Sequence, residues 1–162
     1  TAPEMRKIVP AEAGEHIELD GVAVDILYAP EKAANEEAGA GITGNELSNV
    51  IRVRYGAATF LFTGDLEAAQ EQHMLEEGKN PKCTVLKVAH HGSKTSTTEV
   101  FLAAAQPHYA VISVGRENNF GHPAPEVVKR LEKEGAKLYR TDEDGAIVFR
   151  TDGKKMRVEK FR

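Results

Sequence analysis

Three apolar runs in this chain each end in a short polar loop that contains glycine, and helical patterns separate them. Thr59-Phe60-Leu61-Phe62 leads into Thr63-Gly64-Asp65, and Val85-Leu86-Lys87-Val88-Ala89 leads into His90-His91-Gly92-Ser93. Tyr109-Ala110-Val111-Ile112-Ser113-Val114 leads into Gly115-Arg116-Glu117-Asn118-Asn119-Phe120-Gly121-His122-Pro123. Short apolar runs of this kind read as strands buried within a sheet. Strand and helix in alternation favour an α/β arrangement, with helices packed on a mixed sheet. In such sheets the strand ends that share an edge are where sites are built.

The helical patterns have their own punctuation. One is expected from about Leu66 to Glu77, closed by Gly78. Ser96-Thr97-Thr98-Glu99 reads as a capping box opening a helix through Ala105, which Pro107 stops. Pro125 starts a third, whose Val127, Val128 and Leu131 share one face before Gly135. Ahead of these, His16 to Tyr28 alternates around Asp20-Gly21 as a strand hairpin, and Val50 to Tyr55 alternates as a half-buried strand. Between them, residues 31–44 are rich in Ala, Gly and Glu and read as a mobile surface loop. Three closing strands are expected over 137–141, 146–150 and 156–161, the last two joined by Asp152-Gly153 in a type I′ hairpin.

With 162 residues the chain is one domain or a large part of one. It has no signal peptide and no apolar run of spanning length, so no membrane contact is expected from it. Residue 1 is Thr, so the chain reads as cut from something longer. The lone Cys83 excludes a disulfide framework and reads as a buried structural thiol. A net charge of −4 argues against nucleic-acid binding by bulk electrostatics.

Asp and His are the side chains a divalent metal needs, and strand ends hold them rigidly. Asp65 has two readings: a metal ligand, or a helix N-cap. His90 and His91 follow a strand too hydrophobic for the surface. Since a strand alternates its side chains, at most one of them should be a direct ligand in simple geometry. Ser93, Lys94, Thr95 and Ser96 lead into a helix N-terminus, where free N–H groups favour an anion such as phosphate. His16, His73 and His108 lie outside the polar loops and receive no role.

Four ordered motifs carry a resemblance. Asn45-Glu46-Leu47-Ser48, Phe60-Leu61-Phe62-Thr63-Gly64-Asp65, Val88-Ala89-His90-His91-Gly92-Ser93 and Asn119-Phe120-Gly121-His122-Pro123 resemble successive motifs of the metallo-β-lactamase fold. Together with Tyr139-Arg140-Thr141-Asp142 and Asp144-Gly145-Ala146-Ile147, they are similar to the C-terminal domain of the ComEC family of DNA-internalisation competence proteins. The resemblance implies the C-terminal portion of a four-layer αββα sandwich with a two-metal site at one sheet edge. It implies that Asp65 bridges the metals, zinc or manganese, and that a histidine of the His-His-Gly-Ser motif completes one of them. His91 is favoured over His90 as that ligand. His122 and Lys94 become candidates to bind or protonate phosphate oxygens, with Ser93, Thr95 and Asn119 beside them on the substrate side. Two such metals about 3.5–4 Å apart can generate hydroxide and clamp both oxygens of a phosphoester displacement.

The family's His-x-His-x-Asp-His motif, which supplies most of the ligands, occurs nowhere in this sequence. The chain alone is therefore expected to bind metal weakly and to be inactive, its missing N-terminal half acting as a partner. Apolar surface left by that half would be covered by a partner or by another copy. The expected whole is a metal-dependent phosphodiesterase or nuclease domain, acting on DNA, of a competence-type uptake protein in the bacterial plasma membrane. That places the domain on the extracytoplasmic side. Two other readings stand beside it: a free-standing hydrolase of a small ester or phosphoester, and a metal-free structural or interaction module.

Overall fold

The computed structural model describes residues 10–30 and 44–162. The chain opens with β1 (His16–Leu19) and β2 (Val22–Tyr28), joined at Asp20-Gly21, and continues through β3 (Val50–Tyr55) and β4 (Ala58–Phe62). These four pair antiparallel, each with the next. From β4 onward the pairing is parallel, through β5 (Val85–Lys87), β6 (Tyr109–Ile112) and β7 (Lys137–Arg140). The change has a covalent cause. Each of these later strands follows a helix long enough to carry the chain back: α1 (Ala68–Glu76), α2 (Glu99–Ala105) and α3 (Pro125–Lys133). The strand order in this seven-stranded sheet is the chain order.

Crossovers between parallel strands are right-handed, so three that advance in one direction leave their helices on the same face. The core agrees with that geometry. Leu61, Leu86, Ala110 and Ile112, on one face of the strands, join Met74, Phe101, Leu102, Val127 and Leu131 of the helices in a single buried cluster. Period-two alternation puts Phe60, Phe62, Val85, Tyr109 and Tyr139 on the other face. There the antiparallel hairpin β8 (Ala146–Thr151) and β9 (Met156–Phe161), reached through the one-turn α4 (Thr141–Asp144), forms a second small sheet. The Phe149 ring meets Phe60, Tyr109 and Tyr139 with centroids 6.3, 5.6 and 5.9 Å away. The result is the expected α/β domain with a mixed sheet, a helical layer and a second sheet. A helical layer beyond β8–β9 is not seen among the described residues.

Several local expectations are corrected. α1 begins at Ala68 rather than Leu66, with Glu67 at the N-cap, so Asp65 caps nothing. The capping box does not form. Thr98 is the N-cap of α2 and its side chain accepts from the Phe101 N–H, while the Ser96 hydroxyl donates to the carbonyls of Ala89 and Ser93. The Asp152-Gly153 turn is not a two-residue type I′ turn, because Thr151 pairs with Met156 and the loop spans the residues between. The Asp152 carboxylate instead accepts from the N–H groups of Lys154 and Lys155, an Asx arrangement that sequence favours as readily. The expected mobile loop at 31–44 lies, but for Gly44, outside the described residues.

Candidate active site

Parallel strands point their C-terminal ends the same way, so β4, β5 and β6 deliver their loops to one edge. Asp65 leaves β4 through Gly64, whose φ is +53°. A Cβ on Gly64 would come within 2.9 Å of Ser48 Cβ, and the Ser48 hydroxyl accepts from the Asp65 N–H at 2.9 Å. Ser48 thus fixes where Asp65 starts, and only glycine permits its approach.

β5 ends at Lys87, two residues earlier than its apolar pattern suggests. Ala89–Gly92 is a 3-10 turn in which His90 and His91 have φ values of +46° and +54°. Strand alternation therefore does not govern the two imidazoles, which corrects the basis on which one was set aside. A left-handed backbone at two bulky residues costs about 1–2 kcal/mol each and persists only where surrounding structure holds it. Here the His90 N–H donates to Gly64 O at 3.1 Å, and the Ser93 N–H donates to His90 O at 2.8 Å.

The two histidines diverge. The His91 Nδ1–H donates to Ser113 O at 2.6 Å, which turns its Nε2 toward Asp65 Oδ1 at 3.7 Å. A carbonyl that orients one ring nitrogen so that the other offers a lone pair is the usual support of a metal-ligating histidine. Both side chains stay open to solvent, at 46% for His91 and 37% for Asp65. His90 turns the other way, with Nδ1 buried 3.4 Å from Glu67 Oε1 in ion-pair range but misaligned for a hydrogen bond. Glu67 also accepts from Asn45 Nδ2 at 3.3 Å and Thr95 Oγ1 at 3.4 Å.

His122 comes from the loop after β6, its ring centroid 5.7 Å from that of His90 and 6.1 Å from that of Phe120. Partial burial, reinforced by the His90 and His91 imidazoles, holds its pKa below the ordinary histidine value, which favours the neutral ring. Asn118 builds the loop, donating to Gly115 O and His122 O and accepting from the N–H groups of Phe120 and His122. Thr141 shapes the wall beneath it by bonding both the N–H and the carbonyl of Val114. A cavity of about 460 Å³ opens there, lined by His91, Asn118, Phe120, His122 and Thr141 among others.

The remaining sequence candidates fall around this edge. Lys94, Thr95 and Asn119 are exposed, whereas Ser93 is buried with its hydroxyl 3.0 Å from that of Thr95. The anion site expected at the N-terminus of α2 is corrected: the Thr97 and Thr98 N–H groups already donate to the buried carboxylate of Glu71. Desolvation raises the Glu71 pKa, opposed by those N–H groups and by Arg130, which itself donates to Ser96 O and Thr97 O.

Sequence reasoning missed Glu67, Glu71, Lys87 and Ser113, and quoted Ser48 within a motif without giving it a role. Lys87 donates from Nζ to the carbonyls of Gly64 and Val88, tying together the ends of the strands that carry Asp65 and the histidines. Its signal was present as the one charge inside an apolar strand. Among the described residues no group of three or more His, Cys, Asp or Glu side chains is placed to hold a metal ion. Asp65 and His91 offer two donors, so the described residues do not complete a metal site.

The Metallo-beta-lactamase superfamily profile matches residues 7–116, and the chain belongs to that family. Within it, the chain is similar to ComE operon protein 3 of Bacillus subtilis, 34% identical over 152 residues that cover 91% of this chain and 20% of that protein. It is also similar to Competence protein ComA of Neisseria gonorrhoeae, 37% identical over 155 residues covering 92% of this chain and 21% of that one. Recombination protein 2 of Haemophilus influenzae is 40% identical over 103 residues, 64% of this chain and 13% of the relative. The chain spans about 20% of the length of the first of these curated relatives. Among the described residues no helix is long and apolar enough to cross a membrane.

Proposed function

We propose that this chain is the C-terminal part of a metal-dependent phosphodiesterase domain acting on DNA, within a membrane-anchored competence protein and on its extracytoplasmic side. One observation carries the reading: His91, oriented through Nδ1 by Ser113 O, presents Nε2 to Asp65 at 3.7 Å on an open sheet edge. A carboxylate and an oriented imidazole are a partial ligand set for zinc or manganese. The family and the relative whose name says competence support the rest. Asp65 and His91 are the metal ligands of this chain, and the others come from outside its described residues. His90 supports from the Glu67 side. His122 and the exposed Lys94 face phosphate oxygens, with Ser93, Thr95 and Asn119 shaping that side.

The test is made on the full-length protein with manganese or zinc supplied, by metal analysis and by hydrolysis of single-stranded DNA. Asp65→Ala and His91→Ala should each lose bound metal and fall to background turnover. Lys94→Ala should keep its metal and lose about 10²–10³ in rate, the usual effect of one preorganised electrostatic contact. Full metal content and full turnover in Asp65→Ala would refute the assignment.

A further inference from the structure

We infer that Phe120 is a stacking platform for a nucleobase of single-stranded nucleic acid, next to the phosphodiester site; this rests on the function proposed above. Phe120 is 82% exposed, more than any other large apolar side chain among the described residues. It is nevertheless not on a slack loop. The Asn118 carboxamide closes the loop on both sides of it, accepting from the Phe120 N–H at 3.3 Å and the His122 N–H at 3.0 Å. Beyond it the chain is pinned again, where the Ala124 N–H donates to Gly92 O at 2.9 Å. An aromatic side chain on an anchored backbone has only its two side-chain torsions to lose when something covers it, which is what a binding platform needs.

Its surroundings select the occupant. Phe120 lies nearly parallel to His122, at an interplanar angle of 19°, and both line the cavity of about 460 Å³ that His91 also lines. The rest of that wall mixes Val114 and Gly115 with Ser113, Asn118 and Thr141, and most of its open surface is apolar. A flat ring that stacks on an apolar face and is tethered to a phosphate matches a wall that runs from Phe120 to His91. A nucleotide is that group. The net charge of −4 offers no general attraction to a polyanion, so stacking has to carry a larger share of binding than a basic track would. In a duplex the faces of a base are taken by its neighbours, so the platform selects single strands.

Phe120→Trp installs an indole reporter at the platform, its emission read as the difference from wild type under the same titration. The full-length Phe120→Trp protein is titrated with a thymidine octanucleotide, with an abasic octamer of the same backbone, and with the octanucleotide in duplex form. Wild type and Phe120→Ala are titrated in parallel by anisotropy. The thymidine single strand should change the emission of that residue and bind Phe120→Ala about 5- to 150-fold more weakly than wild type, the range that one base–aromatic stack gives. The abasic octamer and the duplex should do neither. Equal binding of the thymidine octamer to wild type and Phe120→Ala would overturn the inference. So would an emission change that grows with protein concentration alone, since a protein surface would then be covering the ring. The two readings separate cleanly. Base-dependent binding without hydrolysis sinks the hydrolase and leaves the platform, while hydrolysis equal on base-bearing and abasic strands and unaltered in Phe120→Ala does the reverse.

Discussion

Gly92 and Pro123 sit so close that a Cβ on Gly92 would come within 2.7 Å of Pro123 Cβ. Through this contact the loop holding the two histidines and the loop holding His122 fix each other. Gly92 also has a φ of +82°, which side chains rarely adopt. Gly92→Ala therefore meets two penalties, about 1–2 kcal/mol for the backbone and about 1–3 kcal/mol for the overpacking. Urea unfolding should show a loss of roughly 2–5 kcal/mol. A loss under about 0.5 kcal/mol, typical of an uninvolved surface site, would mean that the loops are not coupled here.

Asp65→Ala should leave stability nearly untouched, within about 0.5 kcal/mol, because the residue is neither a helix cap nor buried. The N-cap reading demands a loss of about 0.5–2 kcal/mol instead. Thermal melts of this chain with and without the substitution decide between them.

By itself the chain should show neither turnover of DNA nor tight uptake of manganese or zinc, since Asp65 and His91 supply only a partial set of donors. Titration calorimetry with each metal checks this. Metal-dependent turnover that Asp65→Ala abolishes would show the described donors to be sufficient.

Glu71 caps α2 from inside the core, and Glu71→Gln should cost about 1–3 kcal/mol by setting an amide N–H₂ against a backbone donor. The pH dependence has a definite sign. Burial raises the folded pKa above the ordinary glutamate value, so between those two values the native state holds a proton the unfolded chain has released. Stability from this group therefore falls as pH rises from the ordinary glutamate value through the raised one, and the wild-type advantage over Glu71→Gln narrows across that window. Denaturation of both proteins from pH 4 upward measures it; an advantage that widens instead would reverse the sign assigned to Glu71.

Burial pushes the Cys83 thiol up to about 12. It should resist alkylation in the native state at pH 8 and react at once in denaturant. Rapid native labelling, followed by mass spectrometry, would place it at the surface instead.

Much of the fold was legible because strand and helix patterns are local. The apolar runs at 59–62, 85–89 and 109–114 correspond to β4, β5 and β6, the last two ending two residues short of their runs, and Pro125 did open a helix. Turns were less legible, since Asp152 could serve a type I′ turn or an Asx arrangement with the same residues. The divergence of His90 and His91 was hidden for a different reason. It depends on two left-handed residues held by Gly64 O and Ser113 O, partners remote in sequence that no periodicity reveals. Glu71 was invisible in the same way: a glutamate in a helical pattern reads as solvated until the loop it bonds is folded over it.

The seven-stranded sheet adds its strands in the order in which they occur in the chain. Every strand after the first therefore finds its neighbour already made, and no gap must be held open for a segment still to come. Assembly can follow synthesis from β1 toward β7, with each helix closing over the strand pair it connects before the next strand emerges. The three loops of the candidate site then arrive one after another, and the His122 loop docks last, against a Gly92 turn already in place.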